Sequence, residues 1–268
     1  MDNRYVFPFP AVLGQDRVKK ALLLNVVNPL VGGVLISGEK GTAKSTLVRG
    51  LAALTADMEV VELPLNVTED RLVGSIDLER AIKYGKKSFE PGILKKAHGN
   101  ILYVDEVNLL SEHIVNCLLE VSASGVNVVE REGISCSHPS RFVLAGTMNP
   151  EEGKLRPQFL DRFGLFTEAS GTKDLHERME IIKRRLEYEK DPVKFIKRWE
   201  QESCRLKNNI LKAREAVGRC RVSEEALKLA AEISAEANCE GQRAELVIAE
   251  AARALAALSE RIDVTSED

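Results

Sequence analysis

Apolar positions follow two different rhythms along the chain. In the first two-thirds, short apolar runs at Val34 to Ser37, Glu59 to Leu63, Ile101 to Val104, Phe142 to Ala145 and Leu165 to Glu168 alternate with longer stretches of helical spacing. That alternation predicts an α/β core, a five-stranded mostly parallel sheet covered by helices. Ile101–Val104 and Phe142–Ala145 are continuously apolar, as expected of central strands covered on both faces. Both lead directly into polar residues, and ligands of open α/β sheets sit beyond the carboxyl ends of the strands.

Two insertions interrupt this pattern. Asn66 to Gly92 carries Gly74, Gly85 and Gly92 among charges, while Gly125 to Pro139 alternates apolar and polar residues around Gly133 and predicts a β-hairpin. From about Lys173 to Ala216 the chain is densely charged with helical spacing and is broken at Asp191-Pro192, which reads as a solvated connecting helix pair. Beyond it, Ser223 to Asn238 and Gly241 to Leu258 are alanine-rich and amphipathic, with Ser223 placed to cap the first. The expected organisation is a nucleotide-binding core over residues 1–172, a charged helical connector over 173–221 and a small helical lid over 222–268.

Composition narrows the function. The 268 residues include 38 Lys+Arg and 41 Asp+Glu, a net charge of −3, so the chain as a whole is not a basic nucleic-acid binder. No apolar stretch approaches the roughly 20 residues of a membrane span, and Met1-Asp2-Asn3-Arg4 does not open a signal peptide; the expectation is a cytoplasmic protein. Cys117, Cys136, Cys204, Cys220 and Cys239 are scattered and odd in number, which predicts reduced thiols.

The strongest chemical signal is Gly38-Glu39-Lys40-Gly41-Thr42-Ala43-Lys44-Ser45-Thr46, between an apolar strand and a helical run. Glycines let backbone N–H groups turn inward at a helix start, where the helix dipole favours anions. Lys44 would then reach the β- and γ-phosphates and the Ser45 hydroxyl a Mg²⁺ ion. Ala43 stands where the usual pattern has Gly, so the loop is expected to hold if residue 43 takes helical angles at the helix start and fails to if it lies in a left-handed turn. A second signal is the strand ending in Asp105-Glu106, the arrangement in which one carboxylate holds Mg²⁺ and the next polarises an attacking water. Together the two predict ATP or GTP binding with hydrolysis. Asn149 fits either a polar residue positioning the lytic water or an Asn-Pro turn, and both can hold. Arg156 and Arg162 fit either surface ion pairs or a finger reaching a neighbouring subunit's γ-phosphate.

Taken in order, GEKGTAKST, ILYVDEVNLL, GTMNPEEG and LRPQFLDRFGL resemble the ATPase subunits of magnesium chelatase, within the AAA+ ATPases, from about Phe7 to Leu258. LPLNVTEDRLVGSIDLERAIKYGKKSFEPG is similar to that family's insertion and SGVNVVEREGISCSHPSRF to its hairpin. The resemblance implies ATP and Mg²⁺ as cofactors. It also implies a homo-oligomeric ring, hexameric by expectation, and a motor role in inserting Mg²⁺ into protoporphyrin IX. The partners it implies are a companion AAA+ subunit and a large porphyrin-binding catalytic subunit, with no nucleic acid and no membrane. It makes Arg162 the finger acting across a subunit boundary, with Arg156 second to it, Arg243 a second sensor arginine contacting phosphate from the lid, and Gly14-Gln15-Asp16 the segment closing over adenine. Two other readings stay open. A related remodelling ATPase would use the same motor on another client. A nucleic-acid motor is suggested by Ala43 and the hairpin, although Glu130-Arg131-Glu132 is not a basic tip.

Overall fold

A computed structural model describes residues 5–55, 57–76, 83, 89–131, 134–153, 155–160, 162–239 and 241–268. Gly85, Glu132, Gly133 and the first four residues, which the sequence reading used, lie outside the described residues. In chain order the core comprises α1 (Asp16–Val27), β1 (Val34–Ser37), α2 (Lys44–Thr55), β2 (Val60–Leu63), α3 (Glu69–Val73), β3 (Gly74–Ile76), β4 (Phe89–Pro91), α4 (Ile93–Ala97) and β5 (Ile101–Val104). It continues through α5 (Glu112–Ser124), β6 (Val126–Arg131), β7 (Ile134–Pro139), β8 (Val143–Met148), α6 (Pro157–Leu160) and β9 (Leu165–Glu168). The remaining helices are α7 (Leu175–Lys190), α8 (Pro192–Arg198), α9 (Glu200–Val217), α10 (Glu224–Glu236) and α11 (Arg243–Leu258).

The main sheet has the order β2-β5-β8-β1-β9, and every pairing in it is parallel. The five expected strands are these five. Two differ in extent: β2 starts at Val60, after Glu59, and β8 starts at Val143 and runs on past Ala145 to Met148, into the polar residues that follow the apolar run. Side-chain alternation divides each central strand between two apolar layers. Val34, Ile36, Ile101 and Tyr103 join one layer with α1 and α2, whereas Leu35, Leu102 and Val104 join the other with α4 and α5. With both faces covered, these strands are wholly buried.

The two insertions form small antiparallel pairs, β3 with β4 and β6 with β7. Asn127 ties them together, donating from Nδ2 to the carbonyl of Val73 at 2.8 Å.

The connector is three helices, not a pair. Asp191 accepts from the Lys194 N–H and caps α8, and the chain breaks again at Trp199. It is not simply solvated either: Leu175, Met179, Ile182 and Leu186, spaced four, three and four along α7, are all exposed, forming an uncovered apolar stripe. The lid packs on the first layer through Ala252, Ala254, Ala256 and Ala257. Asn28 of the core donates to the Glu250 carboxylate at 2.6 Å, and Arg214 donates to the Val26 carbonyl at 3.0 Å. As expected, Ser223 caps α10, accepting from the Ala226 N–H at 3.1 Å.

Candidate nucleotide site

The carboxyl ends of β1, β5 and β8 open onto one cleft of 1040 Å³, lined by the 40–46 loop, Asp105, Glu106 and Asn149. The loop is anchored at its start, where the Gly38 N–H donates to the Met148 carbonyl at 3.1 Å. It turns through Gly41 at φ 84° and Ala43 at φ 63° before α2 begins at Lys44. Ala43 is therefore in the left-handed region, contrary to the helical angles that the sequence reading required of it. The loop nevertheless keeps its shape because tertiary contacts override the alanine's own preference: residue 43 packs against the first apolar layer, and its carbonyl accepts the Leu47 N–H at 3.0 Å. Left-handed backbone recurs around this cleft. Gln15 and Glu106 adopt it too, at φ 57° and 55°, a concentration typical of sites that hold side chains in fixed orientations.

Lys44 folds back on its own loop, its ammonium donating to the carbonyls of Gly38 and, at 2.9 Å, Glu39. Burial holds its pKa below the ordinary lysine value, against the opposing pull of Asp105 and Glu106. Asp105 is fixed by two donors to one oxygen, the Tyr103 hydroxyl at 2.9 Å and the Thr147 hydroxyl at 2.6 Å, leaving its other oxygen for a cation. Burial raises the Tyr103 phenol, which keeps it a donor. Thr147 also accepts the Glu106 N–H at 3.2 Å, so one hydroxyl positions both acidic residues. Lys40 bridges Glu106 at 3.7 Å and Glu152 at 2.5 Å; these contacts raise the lysine, and the Lys40 hydrogen bond lowers the Glu152 carboxyl. Asn149 is buried and accepts the Glu151 N–H at 3.2 Å, so the Asn-Pro turn is present.

The opposite wall comes from both ends of the sequence. Gln15 donates to the Ser170 carbonyl at 2.7 Å, and Arg184 of α7 donates to the Ala11 carbonyl at 3.0 Å while stacking 4.9 Å over Trp199. Apolar Val12, Leu13 and Ile181 complete this wall.

Residues 33–163 match the AAA domain (dynein-related subfamily) and residues 227–268 the AAA lid domain. A Methanocaldococcus jannaschii magnesium-chelatase subunit ChlI homolog is 44% identical over 100% of this chain and 83% of its own length. The chain belongs to the ChlI/BchI family of magnesium-chelatase subunits. The Rhodobacter capsulatus magnesium-chelatase 38 kDa subunit is 46% identical, covering 96% of this chain and 82% of its own. An uncharacterized Mycobacterium tuberculosis protein is 50% identical over 94% of this chain, which spans 41% of it. Among solved structures, a chain from the complex of BchI and BchD of magnesium chelatase is 41% identical over 98% of both chains, with a TM-score of 0.60.

In this ChlI/BchI-family chain the cleft gathers Gln15, Gly41, Thr42, Ala43, Lys44, Ser45, Thr46, Asp105, Glu106 and Asn149, with Gly38 at the root of the loop. Three expected arginines lie elsewhere. Arg156 pairs with Glu112 at 2.8 Å, and exposed Arg162 does not line the cleft. Arg243 does not line the cleft of its own chain; its guanidinium donates to the Arg162 carbonyl. The reason is the lid's position, packed behind α1 and away from the loop. Sequence reasoning missed Tyr103, Thr147, Lys40, Glu152 and Arg184. Thr147 had a signal in the sequence, a polar residue one step before Met148 in a chain segment that stays buried as β8.

Proposed function

We propose that this chain is the ATP-hydrolysing motor subunit of a cytoplasmic magnesium chelatase-type complex. In this reading it assembles with copies of itself into a ring, by expectation a hexamer, and with a companion AAA+ subunit. The ring drives Mg²⁺ insertion into protoporphyrin IX by a separate large catalytic subunit, a ligase reaction forming nitrogen–metal bonds. The observation that carries the motor reading is the convergence of Lys44, Ser45, Asp105 and Glu106 on one cleft, with Arg162 outside it.

Backbone N–H groups of residues 41–46 would cradle the phosphates, and Lys44 would exchange its loop carbonyls for phosphate oxygens. The free oxygen of Asp105 and the Ser45 hydroxyl fit a hard divalent cation, and Mg²⁺ bound there would neutralise charge on the transferring phosphoryl group. Glu106 would polarise the attacking water, with Asn149 beside it. Since Arg162 and Arg243 share a hydrogen bond on a surface outside their own cleft, both are assigned to a neighbouring copy's phosphate. A second copy would also cover the apolar stripe of α7, whose other face carries Ile181 and Arg184 into the nucleotide cleft and so stays coupled to it.

A second reading, the same motor serving another client, is favoured by one observation. The archaeal relative needs 304 aligned positions to accommodate the 268 residues of this chain, and the Rhodobacter subunit needs 288 for 96% of it. Both therefore carry segments that this chain lacks, whereas the mycobacterial protein aligns 94% of it in 257 positions.

Kinetics test the motor that both readings share. Glu106→Gln should bind ATP without turnover and Lys44→Ala should not bind it; wild-type turnover by Glu106→Gln would overturn the motor assignment. Mixing Arg162→Ala with Lys44→Ala chains should restore hydrolysis, and no recovery in rings shown to mix would refute action across the boundary. Reconstitution with porphyrin, Mg²⁺ and the large subunit decides the client.

A further inference from the structure

Outside the nucleotide cleft, three side chains of different chemistry converge between the first insertion and the core. Glu69 opens α3, and His113 and Cys117 lie four residues apart on α5, hence on one face of that helix. One oxygen of Glu69, one ring nitrogen of His113 and the sulfur of Cys117 lie within 4.8 Å of one another. His113 Nε2 is 2.5 Å from Glu69 Oε2 and 3.9 Å from Cys117 Sγ, so both neighbours meet the same ring nitrogen.

We propose that Glu69, His113 and Cys117 form a binding site for a borderline-soft divalent cation of the Zn²⁺ class, distinct from the nucleotide's Mg²⁺. Zinc binds thiolate at about 2.3 Å and imidazole at about 2.0 Å in tetrahedral geometry, which separates the two ligand atoms by about 3.6 Å. The observed 3.9 Å fits that edge with a small side-chain adjustment, and ligation requires the Glu69 carboxylate to withdraw from the imidazole by under about 1 Å. Three protein ligands leave a fourth position for water. Mg²⁺ prefers oxygen ligands in octahedral geometry and is excluded by the thiol and the imidazole. Binding displaces the Cys117 proton to solvent.

The frame is rigid where it needs to be. Ile114, Val115 and Leu118 bury the other face of α5, which holds His113 and Cys117 in place. Asn127 already ties the last turn of α3 to β6, so an ion at Glu69 would fasten the first turn as well and clamp the insertion to α5.

The test titrates Co²⁺, then Zn²⁺, into the full chain in excess Mg²⁺. The site should take one Co²⁺ with a thiolate-to-metal charge-transfer band that Zn²⁺ bleaches. Cys117→Ser should remove the band, and His113→Ala should weaken binding by at least the roughly 10–100-fold that follows loss of even an outer-shell partner. Cys204→Ser and Cys239→Ser should change neither. Zn²⁺ should also slow alkylation of Cys117 at least tenfold in the wild-type chain, a measurement that requires no variant to fold. No bound metal, a band that survives Cys117→Ser, or alkylation unaffected by Zn²⁺ would overturn the site.

Discussion

Replacing Ala43 by glycine tests the geometry of the phosphate loop through its sign. At φ 63° the alanine bears the cost of left-handed backbone, about 1–2 kcal/mol, which glycine does not. Against that, glycine adds about 0.4–1 kcal/mol of unfolded-state entropy. It also removes a half-buried methyl, roughly half of the ~0.8 kcal/mol that full burial of such a group contributes. The sum leaves Ala43→Gly between about 0.4 kcal/mol less stable and about 1.2 kcal/mol more stable. Were residue 43 helical, glycine would instead cost about 1 kcal/mol in propensity and lose the methyl contact too. The two geometries thus differ by about 1–2.6 kcal/mol, resolvable by urea unfolding of the nucleotide-free chain with unchanged m-value. Ala43→Asn should fall close to glycine, because asparagine tolerates this region, and Ala43→Val should be the least stable of the series. Destabilisation by 1 kcal/mol or more in Ala43→Gly would refute the left-handed assignment.

Three further outcomes follow from the geometry. Thr147→Val keeps the shape of the side chain but strips a donor from Asp105 and the acceptor of the Glu106 N–H; it should cost about 1–3 kcal/mol in denaturant unfolding. Its single-turnover ATP hydrolysis should fall by about 10²-fold with nucleotide still bound, as displacement of a reacting group by about 1 Å does. Because burial depresses the Lys44 ammonium below 10.5, that group loses its proton at a lower pH than a free lysine. Affinity for a fluorescent nucleotide should therefore decline on the alkaline side before the ordinary lysine range, and Lys44→Arg should show no such decline. Gly164→Ala would set a Cβ 1.6 Å from the Val31 carbonyl oxygen, forcing the chain beside Arg162 to move; about 1–3 kcal/mol of destabilisation by thermal unfolding is expected, and an unchanged midpoint would count against the packing of this joint.

The features legible in the sequence were those set by local chemistry. Strands β1, β5 and β9 fall on their apolar runs, and the loop from Gly38 to Thr46, Asp105 and Glu106 stand where a strand end must place them. What escaped depends on contacts across the sheet or along the whole chain. Thr147 reaches Asp105 only because β8 pairs with β5 in register, Tyr103 opposite Ala145. The angles of Ala43 run against alanine's helical preference because packing decides them. Arg243 rests on Arg162 because the lid docks behind α1, an arrangement no local spacing encodes. The apolar stripe of α7 was obscured by the charges around it, although its four-three-four spacing is present in the sequence.

The wall hung from Arg184 and Gln15 has a consequence for the order in which the protein is made. The phosphate loop follows β1, which lies between β8 and β9, and is anchored on the Met148 carbonyl, so it needs the chain as far as the last strand of the sheet, and the wall facing it joins Ala11 to Arg184 across 173 residues and Gln15 to Ser170 across 155. Loop closure over such separations carries its entropic cost before the contacts form. During synthesis the sheet that carries the phosphate loop is therefore completed first, and the facing wall only after α7 has followed β9. A nascent chain that stops at Glu168 would contain every strand of the main sheet and still lack Ser170, Ile181 and Arg184 of the wall facing the phosphate loop.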